Sequence, residues 1–161
     1  MRILSVDFGT RRTGLAISDP SGRLASPVRT LENRGLEWVV EAVMTARAET
    51  GAERILVGVP LLADGSVGEG ARRALELAYA LQAKAEVPVT WLNEAFTTAE
   101  AYARLKSLGG KRRTPQEERK IIDQLAATLL LEEYLGELPC DPRPLPPMPE
   151  KKTDVSVHQK N

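Results

Sequence analysis

Three acids set far apart in the chain raise the question of chemistry: Asp7, Glu94 and Asp123. Asp7 lies near the end of Ile3-Leu4-Ser5-Val6-Asp7-Phe8, in a strand where propensity alone would place Val or Ile. A carboxylate there is costly to bury unless something positive meets it. Glu94 directly follows the strand Val89-Thr90-Trp91-Leu92-Asn93. Asp123 is one residue from the apolar helical stripe Ile122, Leu125, Ala126 and Leu129. Each has a plainer reading: an Asx cap for Asp7, an ordinary loop acid for Glu94, and a pair with Arg119 or Lys120 one turn back for Asp123. If the three share one sheet edge, however, they repel one another unless hard cations with oxygen ligands lie between them. Two such ions about 3.5–4 Å apart activate a water and stabilise the leaving oxygen of a phosphodiester.

The elements that must position these acids follow from periodicity. Ile3 to Phe8 and Leu15 to Ile17 read as a hairpin joined by Gly9 to Gly14, and Asp19-Pro20-Ser21-Gly22 is a turn. Arg23 to Thr30 reads as a third strand, placed at an edge by Pro27. Leu36, Val39, Val40, Val43 and Met44 mark an amphipathic helix stopped at Gly51. Ile55 to Val59, closed by Pro60, is an unbroken apolar run, as in a parallel strand buried on both faces. A flexible loop is expected from Leu61 to Gly70, then a helix from Ala71 to Ala85 and a strand from Pro88 to Asn93 with Trp91 in the core. Thr98 is placed as the cap of a third helix, Ala99 to Leu108. Thr114-Pro115-Gln116-Glu117 is a capping box for a last helix reaching Leu135. The order predicts an α/β fold: a meander feeding strand–helix–strand units into a mixed five-stranded sheet with helices on both faces. One domain is expected over residues 1–138, and a flexible tail, Pro-rich then polar, over 139–161.

The bulk numbers exclude several classes. The chain has 161 residues and one cysteine, Cys140, so neither an internal disulfide framework nor a Cys/His metal cluster is available. No signal peptide is expected, and no apolar run approaches the roughly 18 residues of a membrane span, so the expectation is a cytoplasmic protein with no membrane partner. Formal net charge is zero, but it is uneven. Arg104 to Lys120 holds seven bases against two acids, whereas Leu31 to Glu86 holds nine acids against six bases. The basic footprint, if there is one, is therefore local.

The motifs now permit a comparison. Asp7, Gly9, Arg12, Gly14, Ala16, Ser18 and Asp19 match every position of the D-x-G-x-x-R-x-G-x-A-x-S-D opening of the YqgF (RuvX) family, within the RNase H-like superfamily. Val57-Gly58-Val59-Pro60 with Gly65 resembles its V-G-x-P loop. Asn93-Glu94-Ala95-Phe96-Thr97-Thr98 resembles its D-E-R-x-T-T segment, and Ile122-Asp123 with Ala126-Ala127 and Tyr134-Leu135 resembles its last helix. The resemblance runs from about Arg2 to Leu135. It implies an RNase H-like sheet of order 3-2-1-4-5 with the second strand antiparallel. It carries Asp7, Glu94 and Asp123 over as catalytic, metal-binding acids for Mg2+ or Mn2+, as two ions. It implies a nuclease acting on the 5′ end of precursor 16S ribosomal RNA, with nucleic acid and ribosomal precursor particles as partners. The family was first read as Holliday-junction resolvases by similarity to RuvC, and branched DNA stays as the alternative. Two departures stand in one motif: Asn93 where the family has Asp, and Ala95 where it has Arg.

Nucleic-acid contacts are expected from Arg11 and Arg12 in the hairpin turn, from Thr97 and Thr98, and from Lys111, Arg112 and Arg113 before the last helix; the competing reading of each is a solvated turn or a helix cap. Gly9, Pro60 and Gly65 are placed in loops near the site. Two rival functions are set against the nuclease. An actin-like ATPase shares Asp7-Phe8-Gly9-Thr10 but needs a second domain, for which the chain has no room. A non-catalytic nucleic-acid or ribosome-associated module draws its support from Asn93 and Ala95.

Overall fold

The computed structural model describes residues 1–94, 97–110 and 112–150. The elements are β1 (Ile3–Phe8), β2 (Arg12–Ser18), β3 (Ala25–Glu32), α1 (Leu36–Thr50), β4 (Arg54–Val59), α2 (Glu69–Lys84), β5 (Val89–Asn93), α3 (Thr97–Ser107) and α4 (Pro115–Gly136). The sheet order is β3-β2-β1-β4-β5, with β2 antiparallel to β1 and β3, and with β1, β4 and β5 parallel. The order and sense agree with the sequence-based expectation. Pro27 lies in β3, an edge strand, as its missing N–H requires.

Strand alternation sorts the core into two layers. Leu4, Val6, Leu15, Ile55, Val57 and Val89 face α1 and α2. Ile3, Ala16, Leu56 and Leu92 face α4, against Ala127, Leu130, Leu131 and Tyr134. All six residues of β4 are buried, the signature of a strand covered on both sides. Local signals set the helix ends. Gly51 closes α1 in the left-handed region at φ 69°, where a Cβ would be strained. Thr114 and Glu117 form a reciprocal capping box at the start of α4, with Pro115 at its first position.

Several sequence-based expectations shift. β2 begins at Arg12, not Leu15, so the hairpin link shrinks to Gly9–Arg11 and Gly14 is a strand residue. β3 runs two residues later than expected, to Glu32. α3 starts at Thr97, which places Thr98 inside the helix and not at its cap. Trp91 is half-buried and not in the core interior, because β5 is an edge strand; its indole N–H donates to the carbonyl of Pro144 at 2.9 Å. That bond belongs to a wider difference. Within the Pro-rich stretch, residues from Cys140 to Pro146 are hydrogen-bonded to the rest of the fold: the carbonyl of Cys140 accepts from Arg54, that of Pro146 accepts from the Tyr79 hydroxyl, and the backbone N–H of Arg143 donates to the Thr90 hydroxyl. The polar remainder, 151–161, lies outside the described residues.

Candidate active site at the carboxyl edge of the sheet

Strand parity places the acids. On β1 the α4-facing residues are Ile3, Ser5 and Asp7; on β2 they are Arg12, Gly14 and Ala16; on β4 they are Leu56 and Gly58. Asp7 stands opposite Gly14 in the β1–β2 pairing. Glu94 leaves β5 with its N–H bonded to the carbonyl of Val59, at the end of β4. Asp123 reaches the same spot from α4. One face of one sheet edge thus receives an acid from β1, one from beyond β5 and one from the covering helix.

Two glycines make this convergence possible by close approach. A Cβ on Gly14 would lie 2.0 Å from the backbone oxygen of Asp123, so α4 is in direct contact with the backbone of β2 at that point. The helix is fixed there by two side chains of the sheet: Thr30 donates to the carbonyl of Lys120 at 2.7 Å and Ser5 to that of Ala127 at 2.8 Å. A Cβ on Gly58 would lie 2.9 Å from both Oε2 of Glu94 and Cδ2 of Leu130, so the Glu94 carboxylate lies across β4 over the missing side chain. Gly58→Ala would push that carboxylate aside while leaving the helix backbone alone. The expected result is a small stability loss, about 1 kcal/mol by denaturant titration, with a much larger loss of any property that depends on Glu94.

The electrostatics are those of crowded acids. Burial raises the Asp7 carboxyl above the ordinary aspartate value; a hydrogen bond with Glu94 partly offsets this, and the charge of Asp123 raises it further. Burial also raises Asp123, offset by Arg12. Arg12 Nε donates to Asp123 Oδ2 at 2.6 Å, with side-chain exposures of only 26% and 22%, so this is not a surface bridge. Neither helix neighbour considered from the sequence, Arg119 or Lys120, takes this role; both are exposed. As the side chains lie, no three acidic, His or Cys residues among the described residues stand close enough to hold one ion. Their chemistry nevertheless suits one: the donors are all carboxylate oxygens, and burial penalises charge on two of them, which is the setting for a hard divalent cation and not for a soft metal.

The remaining residues singled out from the sequence divide. Arg11 is exposed on the hairpin turn, beside a hollow of about 250 Å³ that it lines with Arg12, Glu32, Gln116, Arg119 and Lys120. Arg112 and Arg113 border a second hollow, of about 520 Å³, with Glu117, Lys120 and Ile121. Arg119 lines the first hollow and Lys120 both; sequence reading counted the two in the local basic stretch but named neither as an individual contact. Lys111, Ala95 and the side chains of Thr97 and Thr98 lie outside what is described. Gly9 is structural: its N–H donates to the Arg12 carbonyl at 2.9 Å, and a Cβ would meet that oxygen at 2.6 Å. Pro60 and Gly65 belong to the connection between β4 and α2, where Gly65 takes φ 82° in a turn closed onto the Leu62 carbonyl. Ser18 accepts from the N–H of Ile3, and the carboxylate of Asp19 accepts from the N–H of Leu24, the Ser21 hydroxyl and the N–H of Arg23, which hold it well below the usual carboxylate range. Asn93 Oδ1 accepts from the N–H of Leu61 at 3.3 Å, a role that an amide fills as well as a carboxylate.

Known proteins share both the sequence pattern and the architecture. A family profile described as "RuvX: Holliday junction resolvase" matches residues 1–137. A relative from Desulforudis audaxviator is 36% identical over 138 residues, covering 84% of this chain and 94% of its own. One from Thermosynechococcus vestitus is 33% identical over 133 residues, covering 83% and 86%. Both carry the name "Putative pre-16S rRNA nuclease". Among solved structures, T. thermophilus RuvC in complex with a Holliday junction superposes with a TM-score of 0.54 at 15% identity, over 85% of this chain and 97% of that one. The fowlpox virus resolvase bound to Holliday junction DNA does so with a TM-score of 0.53 at 11% identity, over 87% and 100%. At those identities the structures establish a common RNase H-like fold, whereas the profile and the sequence relatives establish descent: this chain belongs to the RuvX (YqgF) family.

Proposed function

We propose that the chain is a divalent-metal-dependent nuclease that hydrolyses phosphodiester bonds, and that its substrate is precursor 16S ribosomal RNA, processed at the 5′ end in the cytoplasm during ribosome biogenesis. The observation that supports this reading is that Asp7, Glu94 and Asp123 all lie at the carboxyl edge of the sheet on its α4 face. The names of the relatives favour RNA, and the description of the family profile keeps branched DNA as the second reading.

Asp7, Glu94 and Asp123 would hold the ions, Mg2+ or Mn2+, as a pair. When bound, these supply the charge that activates a water and stabilises the leaving oxygen. The chain's own contributions are holding and orientation. The β1 and β4 backbones fix Asp7 and Glu94, and α4, seated on Gly14, fixes Asp123. Arg11, Arg119 and Lys120 beside the acids, and Arg112 and Arg113 at the start of α4, form a basic track suited to a phosphate backbone without reading its sequence. Lys111 extends that track in sequence. Thr97 and Thr98, at the N-terminus of α3, are assigned further backbone contacts.

The deciding assay sets precursor rRNA, single-stranded RNA and a four-way DNA junction side by side with Mg2+ and with Mn2+. Cleavage of the precursor in preference to the other two is expected. Cleavage of the junction alone would make the resolvase reading correct, and binding without any cleavage would make the chain a non-catalytic module. Replacing Lys111, Arg112 and Arg113 with Ala should weaken RNA binding across sequences and lower the magnitude of the log Kd against log salt slope by about 2, at roughly 0.7 per lost phosphate contact on a single strand. An unchanged slope would place the track elsewhere.

A further inference from the structure

The partner of Asp123 is a side chain whose removal the proposed site requires. Arg12 Nε–H donates to Asp123 Oδ2 at 2.6 Å in a largely enclosed pair. A divalent ion on Asp123 would bind the same carboxylate and would face a guanidinium charge at close range, so the two cations compete for it. Arg12 is the first residue of β2, and its neighbours on the outer side are Arg11, Arg119 and Lys120, around the hollow that opens beside the acids.

We propose that Arg12 is the resident counter-ion of Asp123, displaced when a divalent ion is taken up, and that the displaced guanidinium then takes a backbone phosphate in that hollow. The inference rests on the reading of Asp123 as an ion-holding acid. Without the ion, Arg12 keeps a largely enclosed carboxylate from standing uncompensated, which would be strongly unfavourable. With the ion present, that duty ends, and the planar fork of donors is free for an oxyanion that it fits in bidentate fashion. Ion uptake and backbone binding then favour each other by the same factor, as linkage demands. Lysine could neutralise Asp123 but would lack the fork for the phosphate, which accounts for an arginine at this position.

The test uses the full chain, Mn2+ binding followed by the loss of the free-ion EPR signal, and a phosphorothioate RNA oligomer that is slow to hydrolyse. Arg12→Gln should bind Mn2+ more tightly than wild type, by at least about fivefold. In wild type the oligomer should tighten Mn2+ binding, and in Arg12→Gln that mutual effect should vanish. If Arg12→Gln does not fold, Arg12→Lys decides: it keeps a cation beside Asp123 and should retain part of the competition with Mn2+ but lose the coupling to RNA. Unchanged or weaker Mn2+ binding in the arginine variants, with Asp123→Asn still weakening it, overturns the displacement and leaves the ion site standing. No effect of Asp123→Asn on Mn2+ binding overturns the ion site, and the displacement with it.

Discussion

Asp7→Asn is expected to abolish cleavage and at the same time to make the metal-free protein more stable. The first effect follows from removing the central oxygen donor of the proposed site: ion-supplied stabilisation is worth several kcal/mol, so turnover should fall by at least about a hundredfold. The second follows from the environment of Asp7. Burial raises its carboxyl and the neighbouring Asp123 raises it further, so the folded state disfavours the charge it carries at neutral pH. Between the ordinary aspartate value and the raised one, the folded state binds more protons than the unfolded chain. Stability of the wild type in chelator therefore falls as pH rises through the raised value. Asparagine has no such loss and can still hydrogen-bond with Glu94. The advantage of the variant should be largest at neutral pH, about 0.5–2 kcal/mol, and should shrink as pH is lowered toward the ordinary aspartate range. Thermal unfolding in chelator at several pH values checks the sign. Added Mn2+ should raise the wild-type Tm more than that of the variant. A variant that still cleaves removes Asp7 from the chemistry, and one whose advantage does not grow with pH removes the burial argument.

The three acids of the candidate site could be picked out in the sequence because they break a pattern. Asp7 interrupts an apolar strand, Glu94 follows one directly, and Asp123 borders an apolar helical stripe, so each could be located by period alone and the topology then brought them to one edge. The partner of Asp123 was not legible in the same way. Helical spacing offers Arg119 and Lys120, but those positions face solvent while Asp123 turns toward the sheet, and the residue it meets lies 111 positions away in sequence. Gly14 was misplaced for a related reason. A glycine beside Arg11, Arg12 and Thr13 reads as loop, whereas its purpose here is to admit another backbone, which no local signal records. The contacts from Cys140 to Pro146 leave no sequence signal. The segment contributes chiefly backbone carbonyls, those of Cys140, Pro144 and Pro146, to donors on Arg54, Trp91 and Tyr79, and every residue type carries a carbonyl. Arg54 shows the consequence: a cation almost fully buried at the start of β4, held by the Tyr134 hydroxyl and by a segment with no periodicity of its own.

Gly14→Ala should be the most damaging single-methyl change at this end of the sheet. The added Cβ would fall 2.0 Å from the carbonyl oxygen of Asp123, and neither partner can give way cheaply. Gly14 is held between Asp7 of β1 and Thr30 of β3 by strand pairing on both sides. The Asp123 carbonyl belongs to a continuous helix whose register is set by Thr30 on Lys120 and by Ser5 on Ala127. Accommodation therefore requires α4 to lift from the sheet, opening the packing of Ala126, Ala127 and Leu130 behind it. Overpacking of a core commonly costs about 1–3 kcal/mol, and a clash between two fixed backbones belongs at or above the upper end. The contrast with Gly58→Ala makes the argument testable, because the atoms nearest its added methyl are the ends of two side chains. Denaturant titration should show Gly14→Ala losing about 3 kcal/mol or more, and amide exchange should show the loss concentrated in α4 and not in α1 or α2. A Gly14→Ala protein as stable as Gly58→Ala would mean that α4 does not bear on β2 at this point, and the placement of Asp123 beside Asp7 would fall with it.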